Sequence, residues 1–324
     1  MPTFWRLATL AVVAFVCAMP APVAAQPKTV KLVVAFPPGG PADIVARLLV
    51  EPMSKALGSS VIVENKAGGN TIVAAQMVAN SPADGSVAYF SSMSSIVLNP
   101  LLYAPSALPY DPVRDFAPVS LVFQTPTILV VHPSNPAKNA KDFVAASKAA
   151  AQPIPVGSAS AGGTTHLALE LFAEATGARL LHVPYKGASP VISDLIGNQI
   201  GAFFGDLAGV IGPIQGGQLK ALAVAAPTGH PLLPGIKTLD EEGIGAATSV
   251  NWYALLLPVK ASPELVSRFN AAVHAALADP AIKERLTALG ATSTPSTPQA
   301  VLDAMKEDTV KWGGIIKAKN IKIE

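Results

Sequence analysis

The stretch KLVVAFPPGGPADIVARLL, Lys31–Leu49, sets the architecture. Lys31–Phe36 is an apolar, β-branched run that ends at Pro37-Pro38-Gly39-Gly40. Helical periodicity follows at once, with Ile44, Val45, Leu48 and Leu49 on one face. Pro52 is expected to kink or end that helix early, because proline lacks an N–H and crowds the preceding turn.

The same alternation of strand and helix runs down the chain. Strands are expected at Val61–Glu64, Val87–Ser91, Ile154–Ser158, Arg179–Pro184, Ile200–Phe204, Leu219–Ala225 and Val250–Leu257. Leu121–His132 is a longer β-like run interrupted by Pro126. Helices are expected at Thr71–Ala79, Asp142–Ala151, Thr164–Thr176 and Ala188–Gly197, and at the proline-led segments Pro263–Leu277, Pro280–Leu289 and Pro298–Lys317. This pattern predicts an α/β fold with parallel or mixed sheets flanked by helices. In such folds ligands sit beyond the carboxyl ends of strands, where strand order reverses.

Composition narrows the function. The chain has 324 residues, which suggests two domains, and 50% hydrophobic against 14% charged residues argues for packed cores. A net charge of +2 offers no basic excess for a nucleic-acid backbone, so no nucleic-acid partner is expected. Residues 1–25 read as a cleavable export signal: Arg6 is the positive start, Leu7 to Met19 the apolar stretch, and Val23-Ala24-Ala25 the small residues before cleavage. The single cysteine, Cys17, falls inside that segment, and Ala14 and Val16 do not fit a lipidation motif. The exported chain then has no thiol for a disulfide, a nucleophile or a metal.

The loops that follow strands share one chemistry. They are Phe36–Asp43, Ser91–Ser95, Gly157–Thr165, Pro184–Ala188 and Gly205-Asp206. Several combine glycine, hydroxyls and a following helix N-terminus, a cradle for a small anion. For any single loop, ordinary N-capping is the better explanation of a Ser or Thr; five such loops after five strands are harder to dismiss.

Other chemistries lack their motifs. Gly157–Thr165 spaces its glycines like a phosphate loop, but Gly163 stands where the lysine must be. There is no G-x-G-x-x-G opening a helix after a strand, no G-x-S-x-G and no H-E-x-x-H. His166 and Glu170 share a helix face at i, i+4, yet no third or fourth metal ligand is announced, so no metal or cofactor is expected. Asp43, Asp206 and His166 with Ser158 or Ser160 supply the residue types of a hydrolytic triad, but no spacing fixes a nucleophile–base pair, and no catalytic residue is assigned.

Val33–Asp43 (VVAFPPGGPAD), Val63–Asn70 (VENKAGGN), Pro82–Gly85 (PADG), Asn99-Pro100, Leu108–Pro112 (LPYDP), Asp115–Val119 (DFAPV), His182–Gly187 (HVPYKG) and Leu219–Val224 (LKALAV) together resemble the Bug family, the extracytoplasmic solute receptors of tripartite tricarboxylate transporters. The resemblance implies a periplasmic, two-domain binding protein of type II-like fold, each domain a mixed, mostly parallel sheet flanked by helices, with the ligand in the cleft. It implies a discontinuous first domain, 26–124 and 251–324, and a second domain, 125–250. It implies a small carboxylate ligand (a dicarboxylate, amino acid or aromatic acid) held by backbone N–H groups, hydroxyls and waters. The membrane permease subunits of the transporter are the implied protein partner, and no oligomer is called for. A sensor partner would need the same closure, and a hydrolase on this scaffold is the remaining alternative.

Carried over onto this sequence, the resemblance places one wall of the site at Phe36, Pro38, Gly39, Gly40, Ala42 and Asp43, with Ser91 and Ser92 adding hydroxyls. Ser158, Ser160, Gly163, Thr164 and Thr165 form the expected carboxylate cradle, and Tyr185, Gly187 and Asp206 the far side. Asp43 has a plainer role available in the first helical turn, and Asp206 either binds a ligand amine or hydroxyl or orders its loop. Lys186 is the only basic side chain in these loops and reads as solvated or capping. Ala42 stands where the family often has a hydroxyl, and Met93 where glycine is commoner; both point to a less polar acid than citrate.

Overall fold

Strand β1 (Thr29–Val34) is buried along Leu32–Val34 and pairs in parallel with β2 (Ser60–Asn65) and β3 (Val87–Ser92). A run of Val and Leu without polar alternation suits a strand covered on both faces. The computed structural model describes residues 29–245, 248–318 and 321; the expected export signal at 1–25 lies outside these residues. Among the described residues no helix is long and apolar enough to cross a membrane.

Helix α1 (Pro41–Leu57) follows the first turn and passes straight through Pro52. The expected early end is therefore wrong. Val45, Ala46, Leu49, Met53 and Leu57 form one buried stripe on both sides of the proline, and burying such side chains, at about 1.5–3 kcal/mol each, outweighs the roughly 3 kcal/mol penalty of one helical proline. Gly58, at φ +60°, ends the helix in the left-handed region. Helix α2 (Ile72–Ala79) precedes β3, and the short α3 (Asn99–Leu102) continues from a wide helical turn at Ser94–Leu98.

Strand β4 (Phe116–Val131) ties the molecule together. Phe116 to Pro126 pair antiparallel with β9 (Val250–Pro258), while Thr127 to Val131 pair with β7 (Ala202–Asp206) and β8 (Lys220–Ala225). Pro126 sits where β4 changes partner, a position at which a missing N–H is tolerated. β9 also pairs antiparallel with β3. The resulting order is β2-β1-β3-β9-β4-β7-β5-β6, with β8 and β10 (Thr292–Ser293) added on β4.

Beyond β4, helix α4 (Ala140–Ala149) leads to β5 (Ile154–Ser158), α5 (Thr164–Thr176), β6 (Leu180–Pro184) and α6 (Ala188–Ile196). β5 pairs in parallel with β6 and β7. Helix α7 (Leu207–Gln215) follows β7 directly and is absent from the sequence expectation. Gly209, Gly212 and Pro213 weaken its helical signal; burial of Leu207, Ala208, Val210 and Ile211 holds it. The chain ends in α8 (Pro263–Ala278), α9 (Pro280–Ala288) and α10 (Pro298–Ala318). These return to the first part of the sheet: Phe269, Val273 and Leu277 share a core with Val45 and Leu49 of α1, and Val301, Met305 and Trp312 of α10 share one with Phe116.

Candidate ligand-binding cleft

Helices α1, α5, α6 and α7 begin where parallel strands end. Their cap residues are Gly40, Gly163, Gly187 and Asp206, and none makes a side-chain capping hydrogen bond. Three helices elsewhere are capped: Asn139 accepts from Asp142 N–H, Ser262 from Leu265 N–H and Asp279 from Ala281 N–H, whereas Thr71 before α2 and Leu98 before α3 make no such bond. First-turn N–H groups carry partial positive charge and need an acceptor; two here have one from another element, Ala208 N–H from Thr125 Oγ1 at 3.2 Å and Thr164 N–H from Ser94 Oγ at 3.3 Å.

A small cavity lies among these four starts. Phe36, Gly40 and Pro41 line it from the β1–α1 turn, and Ser94 from the turn after β3. Ala159, Ser160, Thr164 and Thr165 line it from the β5–α5 turn, Ala188 and Asp206 from the starts of α6 and α7, and Asn251 and Tyr253 from β9. Its volume is about 20 Å³, room for one or two waters. Among the described residues no Lys or Arg lines it. Two grooves of about 720 Å³ each lie elsewhere, one beside Thr228–Leu232 and α9, the other between the 103–115 loop and α10. Volume alone favours them, but neither gathers uncapped helix starts.

Direct contacts cross the cleft beside the cavity. Ser189 Oγ donates to the Pro38 carbonyl at 2.8 Å, and Thr164 N–H donates to Ser94 Oγ at 3.3 Å. Gly187, at φ +126°, packs against the Pro37 ring.

Of the residues expected from sequence, the structure brings Phe36, Gly40, Ser160, Thr164, Thr165 and Asp206 to the cavity wall. The others stand behind or beside it. Gly163 caps α5 so close to Ser160 that a Cβ would lie 2.3 Å from the serine Oγ. Thr165 Oγ1 also holds the turn, accepting Ala159 N–H at 2.9 Å. Asp43 is buried and fully engaged: it accepts Gly39 N–H at 2.9 Å, Asn65 Nδ2 at 2.9 Å and both-oxygen contacts from Arg47 Nε at 3.0 Å. Burial pushes its carboxyl up, but Arg47, the Gly39 N–H and Asn65 together hold it below its ordinary value. Asp43 thus fixes the turn that carries Pro38 and Gly39. Ala42 is in the core beneath, as is Met93, so neither side chain borders the cavity.

Ser91 and Ser92 are the last residues of β3 and fully buried. The hydroxyl that lines the cavity is Ser94, in the same serine run, misplaced by sequence reading because β3 continues one residue further than Ser91. Tyr185 donates to Asp194 Oδ2 at 2.6 Å and lies outside the lining; burial and Asp194 push its phenol up to about 12. Lys186 is exposed.

Ser158 meets a stacked pair of histidines, His166 buried and His182 half-buried. Its Oγ lies 2.6 Å from His182 Nε2 and donates to the Ser160 carbonyl at 3.1 Å. His182 stacks on His166 at 3.7 Å between ring centres, and His166 Nδ1 accepts Gly162 N–H at 2.9 Å. Burial and the neighbouring His166 bring His182 down to about 4. Ser158 is fully buried and Ser158 and His182 both lie off the cavity wall, so the pair braces the β5–α5 turn rather than offering a nucleophile. Among the described residues no His/Cys/Asp/Glu group of three or more is arranged to hold a metal ion.

Asn251 and Tyr253 escaped the sequence reading. Their signal was a polar residue in an otherwise apolar strand, two positions from a tyrosine, so both project to one face of β9. Tyr253 stacks on Phe123 at 4.3 Å, with Phe90 alongside at 6.3 Å. That packing sets its hydroxyl 2.7 Å from Asp206 Oδ2, where Asn251 Nδ2 also donates at 2.8 Å. Burial raises Asp206 to about 6, against the lowering effect of these two donors.

The profile of the tripartite tricarboxylate transporter family receptors matches residues 45–321. The chain belongs to this family. The family is one of periplasmic solute-binding receptors, and the architecture above is its mixed α/β periplasmic binding protein fold. This receptor is 30% identical over 321 residues to Protein BugT of Bordetella pertussis (strain Tohama I), covering 98% of each chain. It is similar to the periplasmic binding protein BugD, with a TM-score of 0.86 and 30% identity over 91% of this chain and 99% of that one. It is also similar to R. palustris Rpa4515 with adipate (TM-score 0.87, 28% identity, 92% and 99% covered) and to MatC from Rhodopseudomonas palustris with bound malate (TM-score 0.84, 27% identity, 91% and 100% covered).

Proposed function

We propose that this receptor captures a small carboxylate in the cleft between two closing domains and delivers it to the membrane permease of a tripartite tricarboxylate transporter. The observation that carries the reading is the meeting of four uncapped helix starts at one cavity without Lys or Arg. Main-chain N–H groups and helix dipoles are sufficient to seat an anion. Similar proteins hold adipate and malate, both carboxylates.

The partner change of β4 between Pro126 and Thr127, two residues past the expected boundary, supports a division into domains 26–124 with 251–324, and 125–250. In this reading β4 and β9 form the hinge. A cavity of about 20 Å³ cannot admit a diacid while Ser189 and Thr164 bridge it, so capture begins from a more open state. The ligand then favours the closed state by binding it better than the open one. No covalent step is involved, and the receptor acts as a monomer.

A thermal-shift panel on residues 26–324, refolded to remove carried-over ligand, tests the reading. It includes succinate, malate, adipate, citrate, aspartate, glutamate and benzoate. A ligand at 100 times its Kd adds about 2.7 kcal/mol of stability, and stabilisation confined to carboxylates is the expected result. A panel with no response from any carboxylate would overturn it.

A further inference from the structure

Asp206, Asn251 and Tyr253 form a wall of the cavity whose donors are all spent. The one Tyr253 O–H donates to Asp206 Oδ2. One Asn251 N–H donates to the same oxygen and Asn251 Nδ2 also donates to Tyr253 Oη at 3.1 Å. What remains is acceptors: Asp206 Oδ1 and Asn251 Oδ1 are buried and have no partner. Their residues are 5% and 2% exposed, so bulk water does not reach them. Buried polar atoms are almost always paired in native proteins, and an unpaired one costs about 1–3 kcal/mol. Thr127 and Ser249 also carry buried unpartnered hydroxyls nearby in the strand network, but neither lines the cavity.

Charge points the same way. No Lys or Arg lines the cavity to balance an ionised Asp206. A second ligand carboxylate against this wall would meet a like charge and two acceptors. An O–H or N–H would meet acceptors left open for it.

Resting on the receptor reading above, we propose that the ligand is a carboxylate that also carries a hydroxyl or ammonium group, and that Asp206 and Asn251 accept from that group. The helix starts seat the carboxylate, and this wall selects the donor.

Isothermal titration at pH 7.5 on matched sets tests it: succinate, malate and aspartate; propionate, lactate and alanine; and adipate as a longer unsubstituted acid. The expected result is a hydroxy or amino member that binds at least tenfold tighter than its unsubstituted parent and tighter than adipate. In Asp206→Asn that advantage should shrink at least tenfold. The wild-type comparison needs no variant, so it stands even where Asp206→Asn fails to fold. An unsubstituted acid that binds as tightly as its substituted partners overturns the inference and leaves the receptor reading intact, with a trapped water as the partner of the two oxygens. No carboxylate binding at all, in these sets or in the broader panel, overturns both.

Discussion

Gly187 approaches Pro37 so closely that a Cβ on it would lie 2.3 Å from the proline Cδ. Gly187 belongs to the start of α6 and Pro37 to the turn after β1, so this contact joins opposite sides of the cleft. At φ +126° the position also favours glycine on backbone grounds. Gly187→Ala is expected to leave the fold in place but hold the cleft apart, weakening binding of the tightest carboxylate at least tenfold. Titration showing unchanged affinity would mean that this approach is not part of the bound state.

Thr164 lines the cavity at the first turn of α5. Thr164→Val keeps the shape and removes the hydroxyl. If that hydroxyl meets the ligand, affinity should fall by about 1–2 kcal/mol, roughly five- to thirtyfold by titration. An unaltered Kd would move the anion seat away from this side chain.

Asp43 serves stability through the turn it holds. Asp43→Ala strands the Gly39 N–H and one N–H of the Asn65 amide, which keeps its bonds to the Phe36 carbonyl and Arg47, and should cost about 2–3 kcal/mol, read as a lower Tm. Arg47→Ala removes a guanidinium whose side chain is 54% exposed and should cost less than about 1 kcal/mol. A larger loss for Arg47→Ala than for Asp43→Ala would refute this ordering.

Buried Asp206 and half-buried His182 act oppositely on stability as pH changes. Asp206 titrates near 6 when folded against an ordinary 3.8, so the unfolded chain ionises first as pH rises. Its burial therefore lowers stability progressively between about 4 and 6, by on the order of 3 kcal/mol in total, and is without effect at lower pH. His182 titrates near 4 when folded against an ordinary 6.5, so its neutral burial costs stability as pH falls through the same window. In the wild type the two effects oppose each other across that window. Asp206→Asn should lose stability toward acid, and His182→Gln should gain it. Parallel Tm curves for wild type and Asp206→Asn between pH 4 and 6.5 would contradict the assignment.

Much of the fold was legible because apolar runs, glycine turns and proline-led helices agree with one another along the chain. Ile154–Ser158 and Thr164–Thr176 are found with the bounds expected. What escaped depends on tertiary packing. Helix α7 forms despite two glycines and a proline because its apolar face is covered. Helix α1 outlasts Pro52 for the same reason. The cleft was partly legible: glycine and hydroxyl turns marked the β1–α1 and β5–α5 edges. The β9 wall was not, since only the stack of Tyr253 on Phe123 brings its hydroxyl to Asp206, and local spacing carries no trace of that contact. Nor could spacing show that Ser158 would be committed to His182, 24 residues away.

The helix starts at Gly40, Gly163 and Gly187 have an evolutionary consequence. An anion seat built from main-chain N–H groups depends on glycine at its starts and on no charged side chain, so changes elsewhere on the cavity wall leave it standing. Variation is free to accumulate on the wall of Asp206, Asn251 and Tyr253 without first abolishing capture. A lineage carrying this scaffold can move from one acid to another through intermediates that all still bind something.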